Sequence, residues 1–83
     1  MFYKIKRIKP LENYKIKITF ENEEKKIYDA KYLALKFSDL KNEVFFKNAK
    51  VDKGGYGISW SDDIDISSES LYYIGKNIKK ELI

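Results

Sequence analysis

The residues best suited to chemistry in this chain are the carboxylates of the segment 62–69, which holds three aspartates and a glutamate. Closely spaced carboxylates are the ligands that Ca²⁺ and Mg²⁺ prefer. A calcium loop starting at Asp63 would need glycine at its sixth position and glutamate at its twelfth, where the chain has Ser68 and Ile74. A magnesium site built from two aspartates and a phosphate stays open as an alternative. Because turns use aspartate routinely to bond nearby amides, the pattern favours a turn over a metal site.

The chain has no histidine and no cysteine. That composition excludes the imidazole acid and base, the thiolate nucleophile and the cysteine–histidine zinc site. General acid–base catalysis would then depend on a carboxylate or a tyrosine with a shifted pKa, and nothing in the sequence forces such a shift. We therefore predict that the protein is not an enzyme and uses no cofactor.

A glycine-rich segment at 54–57 is the remaining motif that could have a chemical role, as a phosphate-binding loop. It lacks the lysine and serine or threonine that end a phosphate-binding P-loop, and a strand pattern follows it rather than a helix. Paired glycines supply the positive φ that tight hairpin turns require. The segment is predicted to be a hairpin turn.

The elements that must position these residues form one small domain, since 83 residues are too few for a second core. The clearest is a strand over 14–20, in which every second residue is apolar and therefore on one face. A less regular strand over 3–8 needs a bulge between Ile5 and Ile8. The acidic segment 21–24 reads as the tip of a hairpin whose return strand ends at Asp29, a good helix N-cap.

The second half of the chain mixes short strands and short helices. The patterns predict helices at 30–35 and 43–46, strands at 49–52, 57–60 and 64–66, and a last helix that begins at Ser67 or Ser68. The predicted fold is α+β, a small antiparallel sheet of about five strands with two or three short helices packed on one face. We predict a single α+β domain over 1–74 and a basic helical tail over 75–83, because Leu71, Ile74, Ile78 and Leu82 form one apolar stripe.

Positive charge is concentrated near the N-terminus. The chain has a formal net charge of +4, and its first twenty residues hold six cations against Glu12 alone. This excess of positive charge predicts weak nucleic-acid binding as an alternative function. The predicted contact residues are Lys4, Lys6, Lys15 and Lys17. Single-strand binders place rings and cations on one surface, whereas here the alternation sends the rings inward and the lysines outward. Nucleic acid is therefore not the favoured partner.

The order of these elements resembles the bacterial domain-of-unknown-function family DUF2442. The resemblance starts over 5–20, where two strands are joined by a proline–leucine turn, and it continues through Asp29. It is most specific over 58–66 and at 71–72. The residues that match the signature of the family, in a structural or interaction role, are Asp29, Trp60, Asp62, Asp65, Leu71 and Tyr72. Ser61 and Asp63 depart from the proline and glycine that the family usually has there. Both departures concern turn geometry.

The resemblance implies an α+β domain without established catalytic residues, often encoded beside another small protein as in a toxin–antitoxin pair. The predicted function is a non-enzymatic interaction module that binds a small protein partner encoded nearby, as half of such a pair or of a regulatory pair. Edge strands in a small sheet also permit a homodimer. No run of the chain approaches the roughly 20 apolar residues of a membrane span, and the charged start is no signal peptide, so we expect no membrane partner and a cytoplasmic location.

Overall fold

The computed structural model describes residues 3–77. Within them the elements follow in the order β1 (Ile5–Pro10), β2 (Lys15–Phe20), β3 (Lys25–Asp29), α1 (Lys31–Lys36), a 3₁₀ turn (Ser38–Lys41), α2 (Glu43–Phe46), β4 (Lys50–Val51), a 3₁₀ turn (Lys53–Gly55), β5 (Gly57–Ser61), β6 (Ile64–Ser67), α3 (Ser68–Ile74) and β7 (Lys76–Asn77).

The strands form two antiparallel sheets. The first sheet has the order β1-β2-β3-β7 and the second sheet has the order β4-β5-β6. The predicted α+β class is confirmed, while the strands are divided between two sheets instead of lying in one. The sheets meet at Gly55, where the backbone of the second 3₁₀ turn lies directly against the backbone of Ile5.

The first hairpin pairs β1 with β2 in antiparallel register. Its register shifts between Ile5 and Arg7, where the sequence predicts a bulge. The turn before β2 contains Asn13 and Tyr14, both with φ close to +60°, which a bulky side chain rarely adopts. Two hydrogen bonds hold Tyr14 there: its hydroxyl donates to the carbonyl of Lys41, and its own carbonyl accepts from the amide of Ala30.

The core lies between the inner face of the first sheet, the second sheet and the helices. The apolar side chains of β2 are buried at Ile16, Ile18 and Phe20, as the alternation predicts. The other buried apolar side chains are those of Ile5, Tyr28, Ala30, Ala34, Leu40, Phe46, Ile58, Ile64 and Leu71. Burial of this set supplies the main favourable free energy of folding.

The helices are short, and local caps define their starts. The side chain of Asn42 accepts from the amides of Val44 and Phe45 at the start of α2. Ser67 caps α3 by accepting from the amide of Ser70, which confirms the predicted start of the last helix. Caps of this kind satisfy amides that have no partner within the helix.

The chain does not stay helical after α3. Gly75 has extended backbone angles, and Lys76–Asn77 pair with β3 as the short strand β7. The prediction of a helical tail over 75–83 is therefore wrong for 76–77, and its part over 78–83 lies outside the described residues. A Cβ at Gly75 would lie 2.7 Å from the carbonyl oxygen of Leu71 and 3.1 Å from Cβ of Lys26. Only glycine lets the chain cross the stem of Lys26 this closely and reach the edge of β3.

Candidate interaction surfaces

The outer face of the first sheet is lined with cations. Because side chains alternate along a strand, burial of Ile16 and Ile18 directs their neighbours in β2 to the opposite side. Pairing with β1 and β3 then brings five positive side chains onto this side. We call this surface the basic face, defined by Arg7, Lys9, Lys15, Lys17 and Lys25.

The strand register sets the spacing of these cations. Lys9 lies directly opposite Lys17, and Thr19 lies between Arg7 and Lys25. Opposite residues on neighbouring strands have Cβ atoms about 5 Å apart, so Lys9 and Lys17 repel each other. A depression of about 290 Å³ in this face is lined by Arg7, Ile8, Lys9, Lys17, Thr19 and Lys25.

Little of this charge is neutralised by the protein itself. The ion pairs found among the described residues join Lys6 to Glu23 and Lys47 to Glu43, and neither includes a member of the basic face. Glu23 lies at the tip of the second hairpin. The hydrogen bond from Lys6 lowers the pKa of Glu23, with smaller contributions from the charges of Lys6, Lys25 and Arg7. The basic face therefore presents positive potential to solvent.

The structure separates the four lysines that the sequence nominates for nucleic-acid contact. Lys15 and Lys17 belong to the basic face, whereas Lys6 is paired with Glu23 at 2.8 Å and Lys4 lies over the ring of Tyr56. Lys25 lies outside the first twenty residues, so the N-terminal excess of positive charge does not indicate it. The alternation of the return strand is the signal that places Lys25 on the same face as Lys17.

A second exposed surface lies on α1. Ala34 is buried on the inner side of this helix, while Tyr32 is 85% and Leu35 is 67% exposed. Residues three positions apart share one side of a helix, so these two side chains are neighbours. Exposed Lys31 and Lys36 lie at the two ends of the same helix. We call Tyr32, Leu35 and these flanking lysines the α1 surface.

The β1 edge of the first sheet is unsuited to strand addition. β1 carries a bulge after Ile5 and ends at Pro10, which has no amide hydrogen to donate. The turn at Gly55 covers the start of the strand. Bulges, prolines and covering loops are ways in which proteins protect sheet edges. A homodimer stays a prediction, and this edge does not favour it.

Three of the six signature residues act within the fold. The indole N–H of Trp60 donates to the carbonyl of Phe46 at 2.9 Å. Leu71 is fully buried. Asp29 accepts a hydrogen bond from the amide of Lys31, but the N-cap of α1 is Ala30, one residue after the predicted position.

The aspartates of the signature lie in and beside a turn. Asp62 and Asp63 connect β5 to β6, and Asp65 lies opposite Ser59 in the strand pair. The amide of Asp63 donates a hydrogen bond to the hydroxyl oxygen of Ser61, which is the local bonding expected of a turn. Among residues 3–77, no three acidic side chains are placed to hold a metal ion together.

Tyr72, the last signature residue, joins α3 to the second hairpin. Its ring stacks on Tyr3 with centroids 3.6 Å apart and lies beneath the ammonium group of Lys26. Its hydroxyl donates to the carboxylate of Glu24. This hydrogen bond is the main cause that raises the pKa of Tyr72 to about 12, and it also lowers the pKa of Glu24.

We expect Tyr72 to ionise near pH 12, above the ordinary pKa of a tyrosine, in a stopped-flow ultraviolet titration. Tyr72→Phe removes this late step, while Tyr32→Phe leaves it in place.

A raised tyrosine pKa contributes stability that is complete below pH 10 and is lost as the pH rises through 12. The lowered pKa of Glu24 contributes stability that is lost as the pH falls through it. Tyr72→Phe should therefore flatten both flanks of the stability profile, and an unchanged profile would contradict the assigned bond.

The comparisons with known proteins identify a family. Residues 5–77 match the family described as "Protein of unknown function (DUF2442)". No curated protein and no solved structure is similar enough to match the chain. Among the described residues, no helix has the length and apolar character needed to cross a bilayer.

Proposed function

Since the chain belongs to the DUF2442 family of proteins of unknown function, we propose from its own surfaces that it is a non-enzymatic interaction module. It binds a small protein partner through the α1 surface. The observation that carries the proposal is the exposure of Tyr32 and Leu35 side by side on α1.

The α1 surface has the pattern of a helical anchor. Peptide-binding grooves hold helices by apolar side chains at positions i and i+3, and tyrosine is enriched among residues that dominate binding energy. Burial of each large apolar side chain contributes about 1.5–3 kcal/mol. Tyr32 and Leu35 are exposed on the protein alone and would be buried by a partner.

The flanking charges define the chemistry of that partner. Lys31 and Lys36 lie at the ends of α1 and are exposed. A partner with an apolar groove and carboxylates at its rim complements them, because charges at the rim of an interface steer association and suppress wrong partners. The resemblance to the family adds that the small protein encoded beside such a chain is the candidate, as half of a regulatory or toxin–antitoxin-like pair.

Binding is favoured over catalysis by the directions of the pKa shifts. A general acid or base works best with a pKa near the operating pH. The pKa values of Glu23 and Glu24 are lowered and those of Tyr3, Tyr28 and Tyr72 are raised, so each of these shifts within residues 3–77 moves away from neutrality. The chain also has no histidine or cysteine to replace them.

The test is co-expression of the chain with the product of the adjacent gene, followed by size-exclusion chromatography. We expect the two proteins to elute together. Tyr32→Ser with Leu35→Ser should weaken the complex at least about thirtyfold, since anchors of this kind contribute 2 kcal/mol or more.

The matched control removes the same number of exposed apolar side chains from other helices. Val44→Ser with Ile74→Ser changes residues that are 73% and 60% exposed on α2 and α3. This control is expected to keep the complex. Separate elution of the wild-type proteins, or equal loss in both double variants, would refute the α1 surface as the docking site.

A further inference from the structure

We propose that the basic face binds the phosphate backbone of a double-stranded nucleic acid. This inference uses a different surface and a different ligand from the α1 surface, so either can fail without the other. It begins from five cations that share one sheet face and form none of the ion pairs found among residues 3–77.

The positive charges of the basic face are arranged in a way that is unfavourable for the folded protein by itself. Like charges directly opposite each other in a sheet are destabilising, and Lys9 faces Lys17 in this way. Alternating signs across the strands would remove the repulsion. Within β1–β3 the outer face has one carboxylate in register with these cations, that of Asp29 opposite Lys15. A polyanion laid across the face would turn this repulsion into attraction.

The depression in the basic face provides donors suited to a phosphate group. Thr19 lines it, although only 3% of the residue is exposed. Threonine hydroxyls, lysines and arginines are common phosphate ligands in nucleic-acid complexes. Arg7 adds a planar fork that fits two phosphate oxygens at once.

The absence of rings on this face favours a duplex over a single strand. Proteins that hold single strands stack the bases on aromatic side chains. In β1–β3, Phe20 and Tyr28 are buried on the inner face, and the ring of Tyr14 packs against Phe46. The basic face therefore contacts phosphates and leaves the bases unread, which predicts binding that does not depend on sequence.

The composition of the face also distinguishes nucleic acid from an acidic protein. Lysine is depleted in protein–protein interfaces, whose centres are apolar or aromatic. Protein–nucleic acid interfaces are much more positively charged. The basic face has four lysines and one arginine, and Ile27, its apolar neighbour beside Lys17, is half-buried.

The test measures binding of a short mixed-sequence DNA duplex and of the matching RNA duplex by fluorescence anisotropy at several salt concentrations. Five phosphate contacts predict a slope of about −4.5 in log affinity against log salt for DNA. Affinity should then fall roughly 500-fold between 50 and 200 mM salt. Lys9→Gln, Lys17→Gln and Lys25→Gln together should reduce the slope to about −2.

The control variant has the same net charge. Lys47→Gln, Lys50→Gln and Lys53→Gln remove three exposed lysines from outside the first sheet, which also changes +4 to +1. It is expected to keep a slope near that of the wild type. Circular dichroism checks that both variants are folded. If the triple variant of the basic face unfolds, the three single variants should each reduce the slope by about 0.9.

Four results would overturn the proposal. They are no duplex binding by the wild type, equal slopes for the two triple variants, tighter binding of a single strand of the same length, and equally tight binding of poly-glutamate at the same charge concentration. The last two would assign the face to single strands or to acidic proteins. Loss of duplex binding with the adjacent gene product still bound would leave the α1 surface unaffected.

Discussion

Phe46→Ala is expected to lower the free energy of unfolding by about 3–5 kcal/mol, the usual cost of removing a buried ring. Phe46 is 2% exposed, packs edge-to-face on Tyr14 at 5.6 Å and stacks on Trp60 at 6.0 Å. Its carbonyl also accepts the indole N–H of Trp60. Chains of this length have a total stability of about 4–12 kcal/mol, so this loss is a large share of the total.

Urea unfolding followed by the fluorescence of Trp60 measures this effect. Phe45→Ala is the matched control, because the same ring is removed one position away, where it is half-buried. We expect the control to lose less than half as much stability as Phe46→Ala. Equal losses would mean that Phe46 does not join α2, the Tyr14 turn and β5 as described.

Gly55→Ala is expected to cost roughly 2–5 kcal/mol, because two effects add at this position. Gly55 has φ +83°, a conformation that costs an alanine about 1–2 kcal/mol. A Cβ there would also lie 2.7 Å from the carbonyl oxygen of Ile5. Backbone cannot turn away as a side chain can, and such overpacking costs roughly 1–3 kcal/mol more.

Gly54→Ala separates the two effects. Gly54 has nearly the same φ of +85°, but the atoms nearest to its Cβ belong to the side chain of Tyr56, which can move. This control is expected to cost only the conformational part, about 1–2 kcal/mol. If thermal and urea unfolding give equal losses for the two variants, the close contact between the two sheets at Ile5 is wrong.

Much of the first sheet could be predicted because its side chains alternate without interruption. The spacing at Ile16, Ile18 and Phe20 fixed which side faces the core, and the acidic tip at 21–24 fixed the hairpin. The bulge near Ile5 followed from apolar residues three positions apart. Local caps were readable where serine precedes a helix, as at Ser67.

The remaining fold depends on contacts between residues far apart in the sequence. The division into two sheets depends on the approach of Gly55 to Ile5, fifty positions away in the chain. The turn from helix to strand at Gly75 depends on the stem of Lys26 beneath it. A periodic apolar pattern cannot reveal such contacts, and the stripe through Ile74 and Ile78 predicted a continued helix instead.

The candidate surfaces were only partly predictable. Alternation along the strand predicts that Lys15 and Lys17 point outward. That Lys25 shares their face follows only from the strand register. That Lys6 does not belong to this face follows only from its ion pair with Glu23 at the hairpin tip. Exposure of Tyr32 and Leu35 could not be predicted, because a helix of six residues offers too few turns to show which side is apolar.

We propose that this chain acts by binding a protein through α1. The most direct measurement is an amide chemical-shift map of the isotope-labelled chain as the adjacent gene product is added. We predict perturbations centred on Lys31–Lys36, with little change in the turn between β5 and β6. Unchanged spectra, or perturbations centred on Asp62 and Asp63, would contradict the claim.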